Sequence, residues 1–173
     1  MVFKSISQEY AGLLKKRYAI EGSLKKLPTG YISVKRISGH SYNYLQQRKQ
    51  GKVVSRYLKG NLAQVTQTQL VQRKQLEEQR DVIDDHILRM EEAARIMNPL
   101  EARELERMKF CYTLDHMPKK ERAKAVQFSN AIMTLEGISS TKEVDHSIDA
   151  WVEGKGSFTD SYRKTLEKYH LVG

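Results

Sequence analysis

Apolar and polar residues recur with two different periods in the first third of the chain, and each period predicts one kind of secondary structure. Residues 5–27 have apolar residues at a loose helical spacing, so we predict a helix that ends at Leu27-Pro28-Thr29-Gly30. Beyond this break the pattern changes to alternation, which is typical of strands. Three short strands are predicted, at 31–37, 42–48 and 53–58.

Two glycine-containing segments separate these predicted strands. Ser38-Gly39-His40-Ser41 and Lys49-Gln50-Gly51-Lys52 both place a glycine where a tight turn requires a positive φ. Three strands joined in this way form an antiparallel meander, and a meander of this size is stable only with helices packed on one face. We expect the helix at 5–27 and the helix after the meander to provide that cover.

A long helix is predicted from Asn61 to Met97, because this stretch contains neither proline nor glycine. Its second half carries an apolar seam with heptad spacing, which usually requires a partner helix. The partner lies in this chain or in a second copy, so a homo-oligomer through residues 76–97 and a simple structural spacer both remain open. The seam residues are Leu76, Ile83, Ile87, Met90, Ala94 and Met97.

Further helices are predicted for the remainder, which prolines and glycines interrupt. Asn98-Pro99 ends the long helix, and the next helices are expected at 100–109, 119–135, 140–152 and 157–169. The predicted fold class is therefore mainly α with a small three-stranded antiparallel β-meander, a long central helix and a C-terminal three-helix part. The predicted domains are 1–60, 61–117 and 118–173.

The positive charge of the protein is concentrated in its first 60 residues. The whole chain has 30 Lys and Arg, 21 Asp and Glu, and a net charge of +9. Residues 1–60 contain 13 of the basic residues, only two acids and six of the nine tyrosines, which gives this part a net charge of +11. Residues 61–173 have a net charge of −2. The N-terminal part is therefore expected to attract a polyanion.

The sequence contains no recognisable set of catalytic or metal-binding residues. The single cysteine, Cys111, excludes a disulfide within the chain and a multi-cysteine zinc site, and no phosphate-binding glycine motif occurs. Cys111 and His116 lie on a predicted loop without a third residue to orient a Cys–His pair. We predict no enzymatic activity, no cofactor and no metal. No apolar run is long enough to span a membrane and the first residues lack a secretion signal, so a cytosolic protein is expected.

Basic and aromatic residues are mixed along the predicted meander, and this combination indicates contact with nucleic acid. A three-stranded sheet can lay one face on DNA, with cations on phosphates and other side chains at base edges. Alternation then places apolar residues, with some of the tyrosines, on the core-facing side. A solvated basic sheet and a sheet that binds an acidic protein are the alternatives. The candidate nucleic-acid-binding residues are Lys35, Arg36, Tyr44, Arg48, Lys49, Lys52 and Arg56.

The segment LPTGYISVKRISGHSYNYLQQRKQGKVVSRYLKG resembles an uncharacterised bacterial module with the pattern "LPxGyi..k.i.Gk.YyYlq.r..GKv.SkYl". It is also similar in outline to small three-stranded DNA-binding domains of phage-type integrases. The first resemblance implies no known activity, and the second is one of shape only.

Residues 126–169, VQFSNAIMTLEGISSTKEVDHSIDAWVEGKGSFTDSYRKTLEKY, resemble the VbhA-type antitoxins, the small helical partners of Fic-domain toxins. The pattern consists of a helix that ends in Leu135-Glu136-Gly137, a loop, a second helix that reaches Trp151-Val152, then Gly154 and a final helix. The resemblance implies a bacterial or phage origin and a Fic-domain adenylyltransferase as partner, an enzyme that transfers AMP from ATP to a protein hydroxyl.

The resemblance also implies roles for single residues. VbhA-type inhibitors present a glutamate from a motif of the form [S/T]-x-x-x-E-[G/N], and this glutamate pairs with a Fic arginine that otherwise holds the γ-phosphate of ATP. By this resemblance Glu136 is the inhibitory residue, next to Leu135, and Gly137 permits the turn after it. Ile132 stands where the family has Ser or Thr, so the inhibitory hydrogen bonding is weaker or rearranged, or the inhibition has been lost.

The sequence leaves three functional hypotheses. In the first, the C-terminal helices bind and inhibit a Fic adenylyltransferase, while the basic N-terminal part contacts nucleic acid or serves autoregulation. In the second, the chain is a DNA-binding accessory protein of a mobile element or phage, and its helices serve only assembly. In the third, it is a coiled-coil scaffold without a ligand, and residues 126–169 form only a three-helix cap.

Overall fold

The computed structural model describes residues 2–168, with side chains from Ile6 onward, and in this range it contains six helices and one three-stranded antiparallel sheet. The predicted fold class, mainly α with a small meander, is confirmed. The elements in chain order are α1 (Val2–Leu24), β1 (Tyr31–Ile37), β2 (His40–Lys49), β3 (Lys52–Tyr57), α2 (Leu62–Met97), α3 (Pro99–Asp115), α4 (Lys119–Leu135), α5 (Lys142–Val152) and α6 (Phe158–Lys168).

Most predicted element boundaries agree with the structure, and α3 is the main exception. The sequence predicts a helix that ends near residue 109, whereas α3 continues to Asp115 because no proline or glycine interrupts it. Cys111 therefore lies inside this helix rather than on a loop, and it is buried. Burial raises the pKa of its thiol, which disfavours the reactive thiolate. Tyr169, the predicted end of the last helix, lies outside the described residues.

The chain divides into two compact units. One consists of residues 12–90, and the other, as far as it is described, of residues 2–11 and 91–168. Among the helices of residues 2–168, none is both long enough and apolar enough to cross a membrane.

The meander in residues 12–90 has the strand order β1-β2-β3, and a two-residue turn joins each pair of neighbouring strands. Both turns have positive φ at their two central residues, at Ser38 (50°) and Gly39 (80°) and again at Gln50 (48°) and Gly51 (79°). The predicted turn glycines are therefore confirmed, since this backbone matches the twist of the adjoining strands. Gly30 is required for a different reason, because a Cβ there would lie 2.0 Å from a carbonyl oxygen of β2.

Residues 12–24 of α1 run antiparallel to α2 within this unit. Arg17 donates to Asp84 at 2.5 Å, and Arg73 donates to the carbonyl oxygens of Leu24 at 2.9 Å and Leu27 at 3.2 Å. Arg73 thereby satisfies carbonyl groups that the end of α1 leaves without helical partners. The buried apolar residues of this unit are Leu14, Leu24, Leu45, Leu58 and Ile87.

The apolar seam of α2 faces its own chain for much of its length. Ile87 and Ala94 are buried, whereas Met97 at the end of the seam is 74% exposed. Within residues 12–90, the hydrogen bond from Arg17 to Asp84 places α1 beside α2, so this part of the seam has a neighbouring helix in its own chain. Association of two copies through residues 76–97 stays a prediction.

A buried polar cluster links three helices in the second unit. The Tyr10 hydroxyl donates to Glu91 Oε1 at 2.6 Å, and Lys109 Nζ donates to the same oxygen at 2.8 Å. Burial, with the neighbouring carboxylate, raises the pKa of Tyr10. Burial also opposes ionisation of Glu91, but the hydrogen bonds from Lys109 and Tyr10 outweigh it and hold the pKa of Glu91 below its usual value.

The C-terminal helices pack around Trp151, which is 4% exposed. Its ring meets Phe158 edge-on at 5.4 Å, and the Arg122 guanidinium lies 5.7 Å from the ring centre. Asp115, at the end of α3, accepts hydrogen bonds from the backbone N–H groups of Phe158 and Thr159 and from two hydroxyl groups at the start of α6. This carboxylate therefore caps α6 and ties it to α3.

Candidate functional site

The sheet divides the predicted nucleic-acid-binding residues between its two faces. Paired residues of antiparallel strands lie on the same face, and the register pairs Lys35 with Tyr42, and Tyr44 with Tyr57. Three candidates, Lys35, Tyr44 and Arg48, lie on this face. The opposite face, which we call the Leu45 face after its buried residue, carries the other four, Arg36, Lys49, Lys52 and Arg56.

The first face is a platform of aromatic rings with cations beside it. The Tyr57 ring centre lies 6.0 Å from that of Tyr42 and 5.6 Å from that of Tyr44. Lys35 Nζ lies 5.0 Å from the centre of the Tyr44 ring, a cation–π distance. Tyr31 is on the same face and donates to Gln46 at 2.5 Å. We call this side of the sheet, which carries Tyr31, Tyr42, Tyr44 and Tyr57, the tyrosine face.

The tyrosine face is accessible to a ligand. Tyr31 and Tyr57 lie on the two edge strands and are 61% and 48% exposed. Tyr42 and Tyr44 lie on the central strand and are half-buried. The predicted placement of some tyrosines toward the core is therefore wrong for all four rings. The buried side chain of β2 is Leu45, which alternation directs to the other side.

The Leu45 face has a covered part and an exposed part. Leu45 is 1% exposed, and Leu58, just beyond β3, is 3% exposed. All four cations of this face are exposed, and Lys49 and Lys52 flank the second turn. The positive charge of the sheet is therefore presented on both sides, whereas the four rings lie on one side only.

The second candidate site is the end of α4. Gly137 has a φ of +68°, and its N–H donates to the carbonyl oxygen of Thr134 at 3.2 Å, while the N–H of Ile138 donates to that of Met133 at 2.8 Å. These two bonds form a Schellman motif with glycine at the C′ position. Glu136 is the C-cap residue, and its side chain is exposed.

The outward side of α4 is apolar. Phe128, Ile132 and Leu135 follow the i, i+4, i+7 spacing of one helix side and are 69%, 40% and 88% exposed. Ile138, in the loop after the helix, is 54% exposed. No residue of α4 is buried. We call these four residues the α4 apolar strip, and Glu136 lies beside its C-terminal end.

Comparison with known proteins gives one match. Residues 4–67 match a family described as a domain of unknown function, DUF6788. The match begins in α1, contains the whole sheet and ends in the first turns of α2, so it includes the tyrosine face and excludes α4. No curated protein and no solved structure matches the chain significantly.

Sequence reasoning missed two features of these surfaces. Only Tyr44 was among the candidate residues, although Tyr42 and Tyr44 occupy alternate positions and must share a face in any strand. Phe128 was also missed, although it is four residues before Ile132 in a predicted helix. Within residues 2–168 the structure contains no cluster of three or more His, Cys, Asp or Glu side chains that could hold a metal ion.

Proposed function

We propose that the C-terminal part of this protein binds a Fic-domain adenylyltransferase through α4 and inhibits it with Glu136. The observation that carries the proposal is the setting of Glu136, an exposed carboxylate at the end of a helix whose outward side is apolar. An apolar strip provides affinity for a partner surface, and the carboxylate beside it provides a specific contact with a guanidinium.

The electrostatics of the helix end also favour an intermolecular partner for Glu136. Carbonyl groups at a helix C-terminus carry partial negative charge, so a carboxylate at the C-cap is unfavourable for the isolated helix. An arginine of the partner would remove this repulsion and add a charge-assisted hydrogen bond. We therefore expect the contact between Glu136 and the arginine to stabilise the complex by more than the repulsion at the helix end destabilises the free chain.

Ile132 replaces the Ser or Thr of the antitoxin motif, and its position supports a changed contact rather than a lost one. The side chain lies between Phe128 and Leu135 along the α4 apolar strip and is 40% exposed. A hydroxyl at this position would donate or accept a hydrogen bond, whereas isoleucine adds apolar area to the strip. We propose that apolar contact at Ile132 replaces hydrogen bonding in the complex.

The test is co-expression with a Fic-motif protein encoded beside this chain, followed by co-purification and an AMP-transfer assay. Glu136→Gln should release AMP transfer while the complex still forms, because the substitution keeps shape and removes charge. The matched control is Glu153→Gln, which removes an exposed C-cap glutamate from α5. If Glu136→Gln inhibits as well as the original protein does, Glu136 is not the inhibitory group. If no complex forms, the partner assignment is wrong.

A second function, nucleic-acid contact by the sheet, is favoured by the exposed cations on both of its faces and by the net charge of +11 in residues 1–60. We expect salt-sensitive retention on nucleic acid, weakened when Arg36, Arg48 and Lys52 are replaced together by alanine. Unchanged retention of this triple variant would show that the sheet is not the contact surface. Retention on nucleic acid without any Fic complex would favour the alternative, a DNA-binding accessory protein whose helices serve assembly.

A further inference from the structure

We infer that the tyrosine face binds single-stranded nucleic acid, with its rings stacked on unpaired bases. The inference deepens the proposed nucleic-acid contact and rests on it, since it assigns that contact to one face of the sheet and to one form of the ligand. It starts from the position of four tyrosines on a single face, two of them about half exposed or more.

The rings lie close enough together to contact neighbouring unpaired bases, and their planes are inclined by 58° between Tyr42 and Tyr57 and by 53° between Tyr44 and Tyr57. Tyr42, Tyr44 and Tyr57 have neighbouring ring centres 5.6–6.0 Å apart, and Tyr31 lies on the other edge strand of the same face. Aromatic side chains on an open sheet provide stacking positions for successive bases, and this contact tolerates any base because every base has a π-face. The tyrosine rings can therefore stack on the bases of a single strand of any sequence.

Cations on the same face supply the contact with the phosphate backbone. Lys35 and Arg48 are both exposed: Lys35 is paired with Tyr42 across β1 and β2, and Arg48 lies on β2 itself, four residues after Tyr44 on the same face. Lys35 already lies over the Tyr44 ring, so its charge is held next to the stacking position. Positive groups beside aromatic rings form the arrangement that follows a single strand, with phosphates on the cations and bases on the rings.

Duplex DNA is a poorer ligand for this face. The flat sides of paired bases are covered by their neighbours in the stack, so tyrosine rings cannot reach them unless the duplex is opened. A sheet that enters a groove instead presents polar and charged side chains to base edges and phosphates. On this sheet four exposed cations, including Arg36 and Lys52, lie on the Leu45 face. The two faces therefore predict different ligands and different sensitive residues.

The experiment measures binding of the full chain to fluorescently labelled oligodeoxythymidine and oligouridine, each on the order of 15 nucleotides, and to a hairpin duplex of the same nucleotide number. We expect both single strands to bind more tightly than the duplex, and a difference between the two would identify DNA or RNA as the preferred source. Tyr57→Ala should weaken single-strand binding by about fivefold or more, whereas Tyr57→Phe should retain it because the ring remains.

A matched pair of lysines separates the two faces. Lys35→Ala and Lys52→Ala each remove one exposed lysine from the sheet, but only Lys35 belongs to the tyrosine face. We expect Lys35→Ala to weaken single-strand binding more than Lys52→Ala does. Because Tyr57 lies on an edge strand and is 48% exposed, we expect the sheet to remain folded when it is replaced. Circular dichroism and thermal unfolding of each variant verify this.

Two outcomes overturn the inference in distinguishable ways. In the first, the duplex binds as tightly as the single strands, Tyr57→Ala has no effect and Lys52→Ala weakens binding. This result would mean that the Leu45 face contacts nucleic acid, and only the single-strand inference would fail. If neither ligand binds in low salt, the proposed nucleic-acid contact fails together with the inference. Tighter single-strand binding with loss in Tyr57→Ala and retention in Tyr57→Phe supports both.

Discussion

Two helices of the C-terminal part, α4 and α5, end in the same local structure, but only one of the two ends is integrated into the packing. In α5 the C-cap residue is Glu153 and the C′ residue is Gly154, with a φ of +74°. The N–H groups of Gly154 and Lys155 donate to Trp151 at 3.0 Å and to Ala150 at 2.8 Å. This is the same Schellman motif that Glu136 and Gly137 form at the end of α4.

The two glutamates differ in what surrounds them. Glu153 accepts a hydrogen bond from Lys119 at 2.7 Å, and the helix before it buries Trp151. Glu136 follows Leu135, which is 88% exposed, on a helix without buried residues. A short sequence such as Glu-Gly after an apolar residue therefore determines the backbone of a helix end but not its role. The tertiary contacts differ: Lys119 is bonded to Glu153, whereas Glu136 is exposed, as the proposed contact with a partner requires.

The largest effect that separates the two ends is expected from their apolar residues. Trp151→Ala should lower the free energy of unfolding by about 3–5 kcal/mol, because it empties the space between Arg122 and Phe158. Leu135→Ala should change it by less than about 0.5 kcal/mol, because the side chain is already exposed. Thermal and urea unfolding followed by circular dichroism measure both values.

Partner binding should show the reverse order. Leu135→Asp places a charge on the α4 apolar strip and is expected to abolish complex formation with the Fic protein while leaving the unfolding midpoint nearly unchanged. A large loss of stability in Leu135→Asp would contradict the structure, since it would mean that α4 is covered within the chain. An unchanged complex would show that the partner docks elsewhere.

The sequence predicts the helix end and the strand turns that contain a glycine well, because the signals for them are local. The C-terminal bound of α4 and both turns of the meander depend on glycines that must adopt positive φ, and all three were predicted where they occur. The extension of α3 beyond residue 109 was not predicted, because nothing in the local sequence except the absence of a breaker indicates it. Local chemistry thus predicts where a helix stops more reliably than where it continues.

Replacement of Gly137 and of Gly154 should each lower the free energy of unfolding by a smaller amount, and the two losses should be equal. Gly137→Ala and Gly154→Ala each force a Cβ into the left-handed region, at a cost of about 1 kcal/mol. A Cβ at Gly137 would meet nothing within 4 Å, and one at Gly154 would meet only the Arg122 guanidinium at 3.6 Å and 3.9 Å, an ordinary contact. The two losses should therefore agree within about 0.5 kcal/mol in urea unfolding.

Inhibition should not be affected equally by these substitutions. Gly137→Ala is expected to weaken inhibition of AMP transfer, because a shifted helix end displaces Glu136, whereas Gly154→Ala should leave inhibition unchanged. A similar loss of inhibition in both variants would attribute the effect to general destabilisation. The end of α4 would then have no role that the end of α5 lacks.

The faces of the sheet show what the sequence could not predict. The alternation of Tyr42, Tyr44 and Leu45 specifies which residues share a face, but not which face is buried. Both faces carry lysine and arginine, so charge does not identify the exposed one. The burial of Leu45 decides the question, and this burial depends on packing within the unit rather than on the strand sequence. Alternation also separates neighbouring cations such as Lys35 and Arg36 onto opposite faces, so only the identity of the buried face required the structure.

The smallest expected effect is the pH dependence of the ion pair at Glu153. The hydrogen bond and charge of Lys119 hold the pKa of Glu153 below its usual value. A lowered pKa in the folded state means that the pair stabilises the fold above the ordinary glutamate pKa, and that this contribution is lost as the pH falls through the depressed value. The pair is exposed, so the effect should be small and should decrease with salt.

Lys119→Met should therefore lower the unfolding midpoint slightly at neutral pH but not in acid, and an NMR titration should show the pKa of Glu153 rising toward its ordinary value. If the difference between Lys119→Met and the original protein is the same at both pH values, the ion pair does not hold the end of α5, and the contrast with Glu136 rests on Trp151 alone.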